Sequence, residues 1–352
     1  MHQLIRLTVD GQEVSVESGS TILDAINAAG IYIPTLCADD DLEPYGACRL
    51  CLVDVEGQRR PVLPSCTTPV TEGMVVHTST PLIDRLRHNI VALMLSDHPD
   101  DCLSCPQNNR CELQRVAAYV GLREMPFSGE KRSLPLDQSN PFYVRDLERC
   151  ILCGKCVRTC DEIQNRRAIH YAYRGLATRI ATELDRDVRE SLCEFCGQCV
   201  SKCPVGALYT WDEFRHGLPT ASTRTTCAYC GVGCGLVLQT RGGRIIGALG
   251  DHENPVNRGR TCVKGRFGYD FANHPDRLDT PLVRRDGELV EATWDEALDL
   301  VAGKLAEIRE EHGGDAIAVL SSAKCTNEEN YLLQKFTRAV LGTNNIDHCA
   351  RL

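Results

Sequence analysis

The chain has 352 residues, 43% of them hydrophobic, and a formal charge of −9. That length holds several domains with buried cores, and an acidic balance spread without long blocks speaks against nucleic acid as a partner. No apolar run reaches membrane-spanning length, and the opening MHQLIRLTVDGQEVSVE alternates apolar and polar residues instead of forming a leader, so a cytoplasmic protein with no membrane span is expected.

Cysteine is the anomaly: 21 residues, against aromatics at only 5%. In a reducing compartment clustered cysteines hold metal more often than they form disulfides. In chain order, LIRLTV and QEVSVE flank Asp10-Gly11, a strong hairpin signal. STILDAINAAG reads as a helix stopped at Gly30, and CLVDVE and MVVHTS as further strands, giving a small β-rich domain with one packed helix over residues 1–80. Ile83, Leu86, Ile90 and Leu93 fall at helical spacing and predict an amphipathic helix leading into a cysteine-rich segment, 81–121. Residues 125–142, rich in Pro, Ser and charge, read as a linker. Two similar blocks, CILCGKCVRTC and CEFCGQCVSKC, form an internal duplication within 140–214. LPTASTRTT reads as a joint to a further cysteine region, 220–276.

From 277 to 352 the pattern changes to α/β. Thr293 and Glu296 make a capping box before a helix, AIAVLSS is a strand of the kind covered on both faces, and NYLLQKFTRAVLGTNN is a second helix. One strand and two helices leave an apolar face open. The fold class expected is a multidomain α+β iron–sulfur protein.

The spacing from Cys150 through Cys153 and Cys156 to Cys160 is C-x2-C-x2-C-x3-C, and Cys193, Cys196, Cys199 and Cys203 repeat it, followed by Pro204. In such runs the fourth cysteine serves the other cluster. The expectation is one 4Fe-4S cluster on Cys150, Cys153, Cys156 and Cys203 and a second on Cys193, Cys196, Cys199 and Cys160, with Gly154 and Gly197 letting the backbone approach the sulfides. Two zinc sites are the alternative. Cys37, Cys48, Cys51 and Cys66, spaced x10, x2 and x14, suit a 2Fe-2S cluster although the first gap is longer than the plant-type C-x4-C. Cys102, Cys105 and Cys111 supply only three ligands, and His98 is taken as the fourth of a 4Fe-4S site. Cys227, Cys230, Cys234 and Cys262 complete the series. Nineteen of the 21 cysteines plus His98 thus sort into five sets of four, one 2Fe-2S and four 4Fe-4S, leaving Cys325 and Cys349. The glycines of GVGCG do not follow a strand and open a helix, so no dinucleotide site is expected there, and no Walker motif is present.

This order of a 2Fe-2S domain, HPDDCLSCPQNNRCELQ and a twin ferredoxin insert resembles three families: iron-only hydrogenases, the large iron–sulfur subunit of NADH:quinone oxidoreductase, and molybdenum or tungsten formate dehydrogenases. The full second ferredoxin block counts against the respiratory subunit. CAYCGVGCGL, NRGRTCVKGRFGYDF and SSAKCTNEENYLLQKFTRAVLGTNNIDHCARL resemble the formate dehydrogenase α subunit, which implies a β-grasp fold for the 2Fe-2S domain and, in the complete protein, bis-molybdopterin guanine dinucleotide carrying Mo or W. The resemblance also implies Lys264 between the Cys227 set and a pterin, and Asn327, Glu328 and Asn330 near that pterin.

It further implies formate and CO2 as substrate and product, and a partner subunit that uses flavin and NAD or ferredoxin. It places the metal ligand, cysteine or selenocysteine, directly after Leu352, so no catalytic residue is expected within the chain. An in-frame UGA codon would explain the stop, as would an imposed boundary. The alternative of another class is a polyferredoxin electron carrier.

Overall fold

The computed structural model describes residues 3–349. The last three residues, where the approach to a metal ligand was expected, lie outside the described residues. The chain forms two compact units, Met1–Gly217 and Leu218–Leu352.

The first unit begins with β1 (Leu4–Val9) and β2 (Gln12–Glu17), antiparallel with Val9 opposite Gln12. Asp10 and Gly11 both take positive φ, as a two-residue hairpin turn requires. Helix α1 (Ile22–Ala28) starts at a capping box between Thr21 and Asp24 and is followed by Gly30 at φ +71°. With β3 (Leu52–Val55), β4 (Val62–Pro64) and β5 (Val75–His77), the strands make one sheet in the order β2-β1-β5-β3-β4. Val9, Ile22, Ile26, Val53 and Val76, all fully buried, form its core. Burying each such side chain contributes roughly 1.5–3 kcal/mol.

Helix α2 (Pro81–Ser96) is present, but its buried stripe is rotated from the expected one. Ile83, Arg87 and Val91 face inward while Leu93 is 58% exposed. Arg87 takes the inward position because it caps the carbonyls of Leu50 and Leu52 at 3.0 and 2.6 Å. Helix α3 (Glu112–Tyr119) begins directly after Cys111 and buries Leu113 and Val116.

Residues 125–142 are not a free linker. Gly129 packs on the Ser96 backbone, Lys131 Nζ donates to the His98 carbonyl at 2.5 Å, and Arg132 pairs with Asp97 and donates to the Cys150 carbonyl. The charged residues that suggested a solvated linker are spent on backbone carbonyls of neighbouring loops.

The duplicated blocks follow β6 (Tyr143–Arg145) and are built alike. Gly154 and Gly197, both left-handed, cap the N-termini of α4 (Lys155–Arg158) and α5 (Gln198–Lys202). Between the blocks lies the pair β7 (His170–Ala172) and β8 (Arg179–Ala181), and β9 (Leu208–Thr210) returns beside β6 before α6 (Trp211–His216) closes the unit.

In the second unit the presumed joint is an exposed edge strand, β10 (Ala221–Thr226), paired with β11 (Gly235–Arg241) and through it with β12 (Arg244–Gly250). Its Thr residues suit extended backbone as well as a loop. Short helices α7 (Val263–Phe267) and α8 (Asp270–Asn273) pack on β12, and β13 (Leu282–Arg285) and β14 (Glu288–Glu291) form a hairpin.

Helix α9 (Trp294–His312) starts where expected, with Thr293 Oγ accepting from Glu296 N at 3.2 Å. Its capping box is only half made, because the Glu296 carboxylate is taken by Arg285. The α/β layer has two described strands, not one: β15 (Val319–Ser322) runs parallel to β16 (Ile346–Cys349), with α10 (Asn327–Phe336) between them. Nor is β15 covered on both faces, since Leu320 is 86% exposed. Among the described residues no helix is long and apolar enough to cross a membrane.

Candidate metal centres

All 21 cysteines are free thiols. The loop leaving α2 brings His98 to one wall of a cavity of about 340 Å³ whose lining includes Cys102, Cys105 and Cys111. His98 is 6% exposed; its Nδ1 bonds the Pro99 carbonyl at 2.9 Å, which fixes the tautomer and leaves Nε2 as the lone-pair nitrogen. That Nε2 is buried with no hydrogen-bond partner, and burial pushes the imidazole below its ordinary pKa, so it is neutral. A buried, unpartnered, neutral imidazole among three thiols has the chemistry of a metal ligand held by a hydrogen bond on its other nitrogen. On the opposite wall Gly206 lies so close that a Cβ there would stand 2.4 Å from Cys105 Sγ.

The duplicated blocks make two further cavities. Cys150, Cys153, Cys156 and Cys203 line one, with Cys199 at its edge. Cys160, Cys193, Cys196 and Cys199 line the other. The fourth cysteine of each run lines the other block's cavity: Cys203, after α5, lines the first, and Cys160, after α4, lines the second. In each block a backbone amide two residues on donates to the first sulfur, Leu152 N to Cys150 Sγ and Phe195 N to Cys193 Sγ, both at 3.4 Å. Making that bond puts Leu152 and Phe195 at φ +55° and +56°, conformations that cost a non-glycine residue energy. Gly154 and Gly197 supply the next positive φ, and a side chain at Gly154 would strike the Tyr171 hydroxyl. Burial raises the Cys153 thiol to about 11 and the Cys199 thiol to about 12, the direction that a positively charged metal core would reverse.

Cys37, Cys48 and Cys51 on the long loop before β3, and Cys66 in the turn after β4, are all buried. Hydrogen bonds from Cys48 and Cys66 hold the Cys37 thiol below its ordinary value, and one from Cys66 does the same for Cys51, while the two donors are raised. Cys51 and Cys66 belong to the core of the sheet. Cys37 and Cys48 share a second apolar core with Cys111, Cys153 and Cys203.

That second core joins the sets. Arg158, beside the first block, donates to the carbonyls of Cys37 and Glu43. Lys202 pairs with Asp39 and Asp41 at 2.6 Å each, and Lys155 with Asp39 at 3.7 Å. Arg149 spans Asp146 and Asp101, bracing the Cys102 turn. The sequence signalled none of these braces, since an isolated Arg or Lys in a polar loop carries no partner information.

In the second unit Cys227, buried, donates its N–H to the Cys234 carbonyl at 2.8 Å, and Cys262 stands exposed at the N-cap of α7. Asn257 fastens the two loops, bonding Gly235 N and O and the Arg260 carbonyl. The GVGCG loop does follow a strand, β10, contrary to the sequence reading, but it opens β11 and not a helix. Lys264 is exposed on α7; burial raises the Cys227 thiol above its ordinary value, and the Lys264 charge offsets only part of that rise. The Asn327 side chain lies against Gly231 of the cysteine loop. Glu328 is in the exposed first turn of α10, and the Asn330 amide is committed to its own loop, donating to the carbonyls of Ser322 and Thr326.

Comparison with known proteins accounts for the segments in series. Residues 2–81 match the 2Fe-2S iron-sulfur cluster binding domain, 87–126 the NADH-ubiquinone oxidoreductase-G iron-sulfur binding region, and 140–209 the ferredoxin-like domain of NADH-quinone oxidoreductase subunit 3. Residues 220–274 match the molybdopterin oxidoreductase Fe4S4 domain and 277–352 the molybdopterin oxidoreductase domain. The chain is a series of iron–sulfur and molybdopterin-oxidoreductase domains.

Over 99% of its length it is 40% identical to the NADPH-Fe(3+) oxidoreductase subunit alpha of Geobacter sulfurreducens and 39% identical to the second NADH-quinone oxidoreductase G-type subunit of Rhizobium meliloti. A provisionally named formate dehydrogenase of Staphylococcus aureus is 32% identical over the whole chain. The chain spans 39–40% of the length of each of these relatives. A chain from the crystal structure of an NAD+-reducing [NiFe]-hydrogenase in the H2-reduced state superposes with a TM-score of 0.55 at 29% identity, covering 59% of this chain and 87% of that one. The molybdopterin-oxidoreductase matches agree with the series expected from the motifs. The comparisons do not single out formate dehydrogenase from the NAD(P)H-linked relatives.

Proposed function

We propose that this chain is the electron-transfer portion of a molybdopterin-type formate dehydrogenase, in which five ligand sets hold one 2Fe-2S and four 4Fe-4S clusters. The observation that carries the reading is the buried, unpartnered His98 Nε2 facing Cys102, Cys105 and Cys111 across one cavity. Bound in these sets, iron–sulfur clusters supply one-electron redox chemistry at potentials set by burial and hydrogen bonding. The chain's own part is to hold the sets as neighbours in a dry interior. The Cys150 set borders the Cys37 set through their shared apolar core, the Cys102 set through Gly206, and the Cys193 set across Cys199. Cys111 of the His98 set lies in the same core, so the Cys37, Cys102 and Cys150 sets gather around one apolar interior.

In the complete protein, Lys264 and the Asn327–Glu328 turn would serve a bis-molybdopterin guanine dinucleotide with Mo or W, Asn330 shaping the turn from within. The metal ligand, whether cysteine or selenocysteine, would come from residues beyond this chain. Formate would be oxidised to CO2 there, and a partner subunit carrying flavin and NAD, or ferredoxin, would take the electrons. A second reading, an NAD(P)H-linked iron–sulfur subunit without formate chemistry, is favoured by the 40% and 39% identities.

Anaerobic reconstitution separates these. The chain should take up about 18 iron atoms with matching sulfide, and the complete protein should reduce a dye with formate. Reduction by NAD(P)H through its partner, with none by formate, selects the second reading. Stoichiometric zinc in place of iron and sulfide rejects both.

A further inference from the structure

The two duplicated blocks share their backbone so closely that what differs between them stands out. Each has the same left-handed glycine, the same positive-φ residue and the same amide-to-sulfur bond. Each also has a tyrosine nearby, and the two tyrosines are used differently.

Tyr171, on β7, lies beside the Cys150 set, but its hydroxyl donates to the Leu152 carbonyl at 2.9 Å and so braces backbone. Tyr143, on β6, is 4% exposed and lines both cavities, standing between the two sets. Its hydroxyl has turned to one side only, 3.8 Å from Cys193 Sγ and in hydrogen-bonding contact with Cys199. A phenol carries its proton at neutral pH and a ligand thiolate has none to give, so towards a cluster-bound sulfur the hydroxyl is the donor. The strand fixes the ring: Tyr143 pairs with Thr210 of β9, and its own N–H is held by Asn140 Oδ1 at 3.2 Å. A phenol so deeply buried between two apolar cavities, whose hydroxyl faces sulfur, is costly unless that bond has a use.

We propose that Tyr143 is a tuning residue: its hydroxyl donates to the Cys193 and Cys199 sulfurs and makes the cluster held by Cys160, Cys193, Cys196 and Cys199 easier to reduce. A hydrogen bond to a ligand sulfur offsets negative charge, and the reduced cluster carries one more negative charge than the oxidised one. The bond therefore favours the reduced state and raises the potential of that cluster alone. This rests on the reading of these sets as 4Fe-4S ligands. It adds that two blocks of the same cysteine spacing and backbone are set to different potentials by one hydroxyl supplied from outside either block.

The test is Tyr143→Phe in the anaerobically reconstituted chain, which keeps the ring and removes only the donor. Potentiometric titration followed by electron paramagnetic resonance resolves the reduced 4Fe-4S signals, and the one lost in Cys196→Ser identifies the cluster of interest. That signal should shift to lower potential in Tyr143→Phe while the others hold, and Tyr171→Phe should leave it in place. Resonance Raman supplies a readout that general loosening would not mimic. In the unmodified chain an iron–thiolate stretch should move on exchange into D2O, and in Tyr143→Phe that shift should shrink to the part owed to backbone donors such as Phe195 N–H.

An unmoved potential, a common shift of all signals, or unchanged deuterium sensitivity would overturn the proposal with the cluster reading intact. Absence of 4Fe-4S signals from the unmodified reconstituted chain would instead defeat the cluster reading itself.

Discussion

The two units of this chain hold cysteine in opposite ways. In Met1–Gly217 members of three ligand sets are part of the hydrophobic core: Cys37 and Cys51 are as buried as any leucine, and Cys111, Cys153 and Cys203 pack among Leu36, Leu50 and Val116. In Leu218–Leu352 only Cys227 is buried, Cys262 is exposed, and the long helix α9 buries no residue, with Leu298 and Val301 each more than half exposed. The first unit has made its metal sites and its stability the same structure. In the second the cysteine loops are held by polar clips such as Asn257, and apolar helix faces remain uncovered.

Three measurements would break or sharpen that contrast. The largest effect should come from stripping iron from the reconstituted chain with a chelator. Hydrogen exchange should accelerate by orders of magnitude across α2 and α3, whose neighbours are ligand loops, and change little across α9; equal acceleration in both units would refute the contrast. Next, Arg87→Ala leaves the Leu50 and Leu52 carbonyls buried without their charged donor, and should cost about 3 kcal/mol. Calorimetry should show the melting transition of the first unit falling alone, and a loss below about 1 kcal/mol would mean that water replaces the guanidinium. Smallest is Thr326→Ala at the capping box of α10, worth about 1 kcal/mol of helix stability. It should appear only in the transition of the second unit and leave the iron content unchanged.

The cysteine groupings could be proposed from sequence where iron–sulfur ligands recur at short, fixed spacing, as in the duplicated blocks, and the fold gathers those two groupings at two cavities. The same holds for the Asp10-Gly11 turn and the start of α9, where two or three adjacent residues decide the outcome. The Asp286-Gly287 turn of the β13–β14 hairpin carried the same signal as Asp10-Gly11 and went unread. What failed was nonlocal. An arginine on the apolar stripe of α2 looks like an interruption until the carbonyls of Leu50 and Leu52 are seen beneath it. Residues 125–142 look solvated until Lys131 and Arg132 find their acceptors. Tyr143 sits in a short β-prone run, and its hydroxyl acquires meaning only from cysteines some fifty residues away.

The cationic brace from Arg158, Lys155 and Lys202 onto the Cys37 loop bears on how such a protein can be rearranged by evolution. A gene fragment encoding the first eighty residues would export an acidic loop stripped of its counter-charges and an apolar patch around Leu36 and Leu50 with nothing to lie against. Shuffling that succeeds should therefore carry residues 1–80 together with the two cysteine blocks that supply Arg158, Lys155 and Lys202.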